Sequence, residues 1–132
     1  MKLVSVYTVP NAVDTLYQLL LEREPKQSIS HKVMPTLGQH TRFFQSRPYL
    51  AWYLMETADG FVGAIYLTKQ REVGIFVFKD KQSSGLGQQA LAQLREKWPG
   101  RLLANVAPSN TRSRDFFTKQ GGKVAQITYE LP

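Results

Sequence analysis

REVGIFVFKDKQSSGLGQQAL, residues 71–91, is the stretch on which the reading of this chain turns. It begins as an apolar, β-rich run from Arg71 to Phe78. It then passes through a polar hinge with two glycines around a single leucine, and ends among helix formers. A strand, a glycine-containing turn and a helix start make an anion site, because the first helical N–H groups have no intrahelical partner and the dipole adds partial positive charge. Gly85 and Gly87 let the backbone approach a ligand closely, Ser83 and Ser84 add hydroxyl donors, and Lys81 adds charge. Two phosphate-loop readings fail. The G-x-G-x-x-G pattern breaks at Ala90 and the hinge falls too late in the chain for it, and no Gly-Lys-Ser/Thr is present.

Outward from the hinge, the remaining segments fall into place. Lys2 to Val9 reads as a strand stopped by Pro10, and Asn11 opens a helix through Leu16, Leu19 and Leu20 that ends by Glu24-Pro25. A polar loop, Lys26 to Met34, leads to a short helix opened by Pro35-Thr36, in which Leu37, His40, Phe43 and Phe44 share a face. Tyr49 to Thr57 and Phe61 to Thr68 pair as a hairpin across Ala58-Asp59-Gly60, and Arg71 to Phe78 completes a meander. After the hinge come a helix from about Gly87 to Trp98, a strand Arg101 to Val106, a helix from Pro108-Ser109-Asn110 to Gly121-Gly122, and a last strand Lys123 to Leu131. The order β-α-α-β-β-β-α-β-α-β predicts a single α/β (α+β) domain over 1–132, with a mixed, mostly antiparallel central sheet and helices on both faces.

Composition narrows the function classes. At 132 residues the chain closes one hydrophobic core, with 42% hydrophobic and 20% charged residues. Seventeen basic against ten acidic residues give a net charge of +7, which favours an anionic partner. With no cysteine, disulfides, thiolate metal sites and a cysteine nucleophile are excluded, and no metal is expected. The N-terminus lacks a signal-peptide core and no stretch has the roughly 20 apolar residues of a membrane span, so a cytoplasmic protein without membrane attachment is expected.

The hinge does not stand alone. Gln82-Ser83-Ser84-Gly85-Leu86-Gly87 has the form Q/R-x-x-G-x-G/A, and downstream lies Asn110-x-x-Ser113-x-x-Phe116-Phe117-x-Lys119-x-Gly121. Together with the strand order, these motifs resemble the GNAT superfamily of N-acetyltransferases, most sharply from Glu72 to Gly122. The resemblance implies the acyl-CoA N-acyltransferase fold and acetyl-CoA as co-substrate. Backbone amides of Gln82, Ser83, Ser84, Gly85, Leu86, Gly87 and Gln88 would wrap the pyrophosphate. Edge amides from Phe76, Val77, Phe78 and Lys79 would bind pantetheine as an added strand, in a cleft where that strand splays from the one around Leu103. The Val77 N–H or its neighbour would polarise the thioester carbonyl. Asn110 would bond the pantetheine arm, Ser113 and Phe117 would lie beside it, and Lys81, Arg112 or Lys119 would meet the nucleotide phosphates.

Acetyl transfer to an amine needs a base that removes a proton from the attacking nitrogen. Glu72 occupies the place where the resemblance puts a general-base glutamate; its plainer role is to flank a turn with Arg71. His31 is the second catalytic candidate, and His40 lies in the same acceptor-shaping region, although a lone histidine is commonly structural. Tyr49, Trp52, Tyr53 and Tyr66 would line the acceptor pocket or simply fill the core. One departure from the family's pattern stands out. Many members carry a tyrosine on the last helix as general acid, and here the position is Phe117, beside Phe116, while Tyr129 sits on the last expected strand. The resemblance therefore implies direct acetyl transfer to an amine, expected to be a small molecule, by a monomer or homodimer. A catalytically reduced module that binds acetyl-CoA or nucleic acid is the alternative, though no helix-turn-helix or RNA-binding motif is present.

Overall fold

The computed structural model describes residues 1–23, 33–82 and 84–132. Four strands form one antiparallel sheet in chain order: β1 Lys2–Ser5, β2 Ala51–Thr57, β3 Gly60–Leu67 and β4 Val73–Val77. Among the described residues four α-helices cover it: α1 Ala12–Leu21, α2 Leu37–Gln45, α3 Leu86–Lys97 and α4 Thr111–Lys119.

Helices on both faces explain why the central strands read as continuous apolar runs rather than as alternation. β2 buries Ala51, Trp52, Leu54 and Met55; β3 buries Val62, Ala64, Ile65 and Leu67. From Ala51 to Met55 and from Ala64 to Val73 odd and even positions feed different layers, while the bulge at Met55/Glu56 shifts the phase so that Val62 joins the odd set. Met55, Ile65, Leu67 and Val73 meet Ala90, Leu91 and Leu94 of α3. Trp52, Leu54 and Ala64 meet Ala12, Leu16 and Leu19 of α1 on the other side. In α1 the buried positions 12, 16, 19 and 20 recur at helical spacing, as the sequence indicates. Each fully buried leucine or isoleucine, such as Leu54 or Ile65, contributes roughly 1.5–3 kcal/mol over an exposed one. The start of α2 is fixed by a capping box, in which Thr36 accepts from the Gln39 N–H at 3.1 Å and Gln39 accepts from the Thr36 N–H at 2.9 Å.

The α/β architecture, antiparallel sheet and helices on both faces match the expectation, but two expected strands do not form. Of Arg101 to Val106 only Leu103 joins the sheet, through a single parallel bridge to Glu72. The Val73 N–H donates to the Leu103 carbonyl at 2.7 Å, and the Leu103 N–H donates to the Arg71 carbonyl at 2.9 Å. Arg71 reinforces this junction: its guanidinium donates to the carbonyls of Trp98, Pro99 and Arg101. Past Leu103 no ladder continues, so Lys123 to Leu131 finds no neighbouring edge. It runs as irregular chain with Ile127, Tyr129 and Leu131 exposed, despite strand-like alternation. Among the described residues no helix is long and apolar enough to cross a membrane.

Candidate functional site

β4 and the segment after Leu103 are joined at one end only, and the hydrogen-bond phase of β4 shows what faces the gap. The Phe78 N–H donates to Val62 O at 2.9 Å, on the β3 side, whereas the Val73 N–H points the other way to Leu103. An antiparallel strand alternates its donors. The N–H groups of Ile75 and Val77 therefore point to the same side as Val73, where no strand continues. The amides of Phe78 and Lys79 are engaged elsewhere, the latter donating to Glu22 Oε1 at 2.8 Å. Of the four edge amides anticipated, Val77 faces the gap and Phe76 belongs to the β3 side. Ile75 joins Val77 there, and only the strand's hydrogen-bond phase, which no sequence motif encodes, could identify it.

Beyond β4 the chain turns through a single 3-10 turn, Lys79–Lys81, into the glycine hinge. Gly85 is the N-cap of α3 with φ +76°, a left-handed conformation that side-chain-bearing residues rarely adopt. The first helical bond to it comes from the Gln89 N–H, at 3.1 Å, leaving the N–H groups of Leu86, Gly87 and Gln88 at the bare helix start. Gly87 has a packing reason as well: a Cβ there would sit 3.3 Å from the Phe116 ring of α4. Gln82 ties the hinge to both neighbours, donating to the Val77 carbonyl at 3.0 Å and accepting from the Arg112 guanidinium. The Ser84 hydroxyl donates to the Lys81 carbonyl at 2.8 Å. Asn110 caps α4 by accepting from the Ser113 N–H at 3.2 Å, and Phe117 packs edge-on against Phe116 at 5.0 Å. Arg112 thus reaches the hinge, while Lys119 lies in the last turn of α4. Ser83 lies outside the described residues, and so does His31.

Glu72 sits just before β4, at the mouth of the gap. Its carboxylate accepts from the Thr68 hydroxyl at 3.3 Å and from the Asn105 amide, and the Thr68 hydroxyl in turn accepts from the Glu72 N–H at 3.0 Å. Thr68 and Asn105, which the sequence reading did not single out, hold this carboxylate in place. No spacing rule links positions 68, 72 and 105, since the third arrives through the Leu103 bridge.

On the α1/α2 side of the sheet lies a small cavity of about 50 Å³, lined among others by Arg23, His40, Tyr49, Trp52, Tyr66 and Phe76. Tyr49 and Tyr66 stack with ring centroids 4.1 Å apart, and a Cβ at Gly74 would enter the Tyr66 ring, so the glycine is what lets that ring lie on β4. The Arg23 guanidinium stands over the Phe76 ring, 3.9 Å from its centroid. Burial raises the pKa of both tyrosine hydroxyls and lowers that of Arg23; the Arg23 charge partly offsets the rise at each tyrosine. The Glu72 charge also raises the Tyr66 pKa, which places the carboxylate within electrostatic reach of the cleft. His40 is buried, with Tyr17 and Trp52 rings at 5.5 and 6.5 Å. Tyr53 is not part of this cleft: it faces α3, where its hydroxyl accepts from Trp98 Nε1 at 3.0 Å. Tyr129 is exposed on the last segment.

A family model described as "Acetyltransferase (GNAT) family" matches residues 13–122. Among solved structures, an acetyltransferase from Thermus thermophilus superposes with a TM-score of 0.72 at 24% identity, over 91% of this chain and 84% of that one. A putative acetyltransferase from Salmonella typhimurium, solved with its cofactor acetyl-CoA, gives 0.67 at 14% identity over 95% and 79%. A Bacillus halodurans chain described as a transcriptional regulator gives 0.71 at 12% identity over 99% and 98%. No curated protein matches the sequence. At these identities the structural matches speak to the fold.

Proposed function

The chain belongs to the acetyltransferase (GNAT) family, and from that premise we propose that it moves an acetyl group from acetyl-CoA to the amine of a small molecule by direct attack. One juxtaposition carries the reading. The outward N–H groups of Ile75 and Val77, with the bare start of α3 at Gly85 beyond one end of β4 and the held carboxylate of Glu72 at the other, support it.

In this reading the α3 amides, with Lys81 and Arg112 nearby, receive the pyrophosphate of acetyl-CoA. Asn110, Ser113 and Phe117 border its pantetheine arm. The N–H of Val77 or Ile75 donates to the thioester oxygen, whose negative charge grows as the amine nitrogen bonds to the carbonyl carbon. Glu72, directly or through a water, takes the proton that the nitrogen sheds. The C–S bond then breaks and the coenzyme leaves as thiolate. Phe117 has no proton to give, so the thiolate takes one from water. Glu72 and the hinge are thus assigned roles within one cytoplasmic domain. His40, packed among rings, is assigned to the wall of the cleft.

The test is a thermal-shift titration with acetyl-CoA, CoA and ATP on the wild type and Gly85→Trp. Among the described residues beyond its chain neighbours nothing lies within 4 Å of a Cβ at Gly85, so the indole fills the space before the α3 amides, while the left-handed backbone there is strained by any side chain. Acetyl-CoA at 100 times its Kd should stabilise the wild type by about 2.7 kcal/mol, and the variant should lose the shift. Absence of any shift in the wild type would remove the coenzyme reading.

A second reading rests on Phe117: a family member that binds the coenzyme or another anion without turnover. It requires an acetyl-CoA shift without coenzyme release against any amine.

A further inference from the structure

The two edges of the sheet differ in how they end. At β1 the outer edge is covered: Gln93 of α3 accepts from the Leu3 N–H at 3.3 Å and donates to the Met1 carbonyl at 2.8 Å. An edge covered in this way is closed to a further strand. At the far end Leu103 spends both backbone groups on the β4 side, its N–H on Arg71 and its carbonyl on Val73. The Arg101 carbonyl faces the same way, toward the Arg71 guanidinium. Alternation then turns the N–H and C=O groups of Leu102 and Ala104 outward, and among the described residues no strand lies beyond them.

Residues 123–131 have the complementary need. Ala125, Ile127, Tyr129 and Leu131 alternate with Gln126, Thr128 and Glu130. The Gln126 amide donates to the Thr128 hydroxyl at 3.4 Å, so these two share one side of an extended chain. On the other side Ile127, Tyr129 and Leu131 are 69, 79 and 83% exposed. The course of the segment is set where it leaves α4. The Gly121 N–H donates to the Thr118 carbonyl and the Gly122 N–H to the Phe117 carbonyl, a Schellman closure with Gly121 left-handed at φ +88°. On that course, among the described residues, it joins no strand of its own sheet.

We propose that the open edge and the exposed segment meet between two copies of this chain. Residues 123–131 of each copy pair along Leu102 to Val106 of the other, adding a strand outside the Leu103 bridge in both. Each chain carries donor and acceptor, so a two-fold arrangement makes the contact twice and closes. Leu102 already packs into the α3 layer, and the incoming row of Ile127, Tyr129 and Leu131 extends that layer. The area suffices. At roughly 100 Å² for each of these side chains, the two rows and an equal surface beneath them remove about 1,200 Å² from water before paired backbone is counted, which reaches the range of stable interfaces. To fold back on its own edge the segment would have to undo the α4 closure. Pairing of the two segments with each other alone would leave a two-stranded ribbon, which is marginal in water. The proposal is independent of the acetyl-transfer reading, although the added strand braces the segment that carries Asn105 to Glu72.

Sedimentation velocity of the full chain from about 1 to 100 µM tests it. The wild type should be mostly dimer at the top of that range. Ile127→Asp, which breaks the donor row, should be monomeric throughout, while its unfolding in dilute solution stays that of the wild type. Ala104→Pro, which removes an outward N–H from the acceptor edge, should be monomeric as well. The two variants should complement each other, because the edge of one and the segment of the other are intact. In 15N-labelled Ile127→Asp, unlabelled Ala104→Pro at about 1 mM should shift the Leu102 and Ala104 amide signals, and unlabelled Ile127→Asp should not. A monomeric wild type, a dimer that survives either substitution, or the absence of complementation would each overturn the proposal. Where Ala104→Pro does not fold, hydrogen exchange decides: the Leu102 and Ala104 amides should exchange about tenfold or more slower in the wild type than in Ile127→Asp, and equal rates overturn it.

Discussion

Replacing Gly74 by alanine adds a single methyl group at the point where the sheet and the cleft meet. A Cβ at that position falls within the Tyr66 ring, with the hydroxyl oxygen only 2.5 Å away, so the ring must leave β4 and its stack on Tyr49. Overpacking of this kind costs about 1–3 kcal/mol. A glycine inside a strand is itself weaker than alanine by roughly 0.5–1 kcal/mol, so part of the loss is returned. The expected net destabilisation is therefore about 1–2 kcal/mol, or a Tm lower by roughly 4–8 °C at this chain length. The sharper test is a double-mutant cycle with Tyr66→Ala, measured by urea unfolding. Without the ring, Gly74→Ala should be neutral or slightly stabilising, which gives a coupling energy of about 2 kcal/mol between positions 66 and 74. Acetyl-CoA should still stabilise Gly74→Ala as it does the wild type, since the hinge is not touched, while acceptor binding should weaken. An equal cost of Gly74→Ala in both backgrounds would refute the close approach of ring and strand.

Glu72→Gln should lower kcat by about 10²–10⁴-fold with little change in the acetyl-CoA thermal shift, and Asn105→Ala, which frees one carboxylate oxygen, should lower kcat less; steady-state kinetics with a competent amine would check both. Burial raises the Tyr49 pKa above its ordinary 10.0. The unfolded chain therefore ionises this group first, and the associated stability is whole below about pH 10 and falls by up to about 1.36 kcal/mol per pH unit above it. Tyr49→Phe should flatten that alkaline decline in urea midpoints measured from about pH 9 to 11. Ile127→Asp, on the exposed last segment, should change stability by no more than about 0.5 kcal/mol. Leu54→Ala, in the fully buried layer under α1, should cost about 2–5 kcal/mol. Calorimetry of the two variants together would test whether residues 123–131 carry any of the core.

What the sequence discloses and what it conceals follow from how far apart the interacting parts lie along the chain. The meander, α1, the start of α2 and the hinge are written locally: Thr36 and Gln39 are three residues apart, and Gly85 lies next to the helix it caps. The two late strands failed because alternation in Arg101 to Val106 and Lys123 to Leu131 records which side chains suit a sheet, not whether an edge is there to receive them. Leu103 obtains one bridge and the ladder stops. The same limit concealed the holders of Glu72, since Asn105 reaches it only because that bridge brings residue 103 alongside residue 72.

The two unmade strands and the open gap are one feature. Had the segment after Leu103 continued along β4, the N–H groups of Ile75 and Val77 would have been spent on a ladder, as that of Val73 is. By parting after one bridge, the chain leaves two aligned donors facing the same way, beside a helix start held open by a left-handed glycine. Two half-buried donors left open at this spacing suit an extended ligand with acceptors along its length. A pantetheine arm, with its two amides and a thioester, is such a ligand, and on the proposed acetyl-transfer reading the hinge and the gap would serve one site.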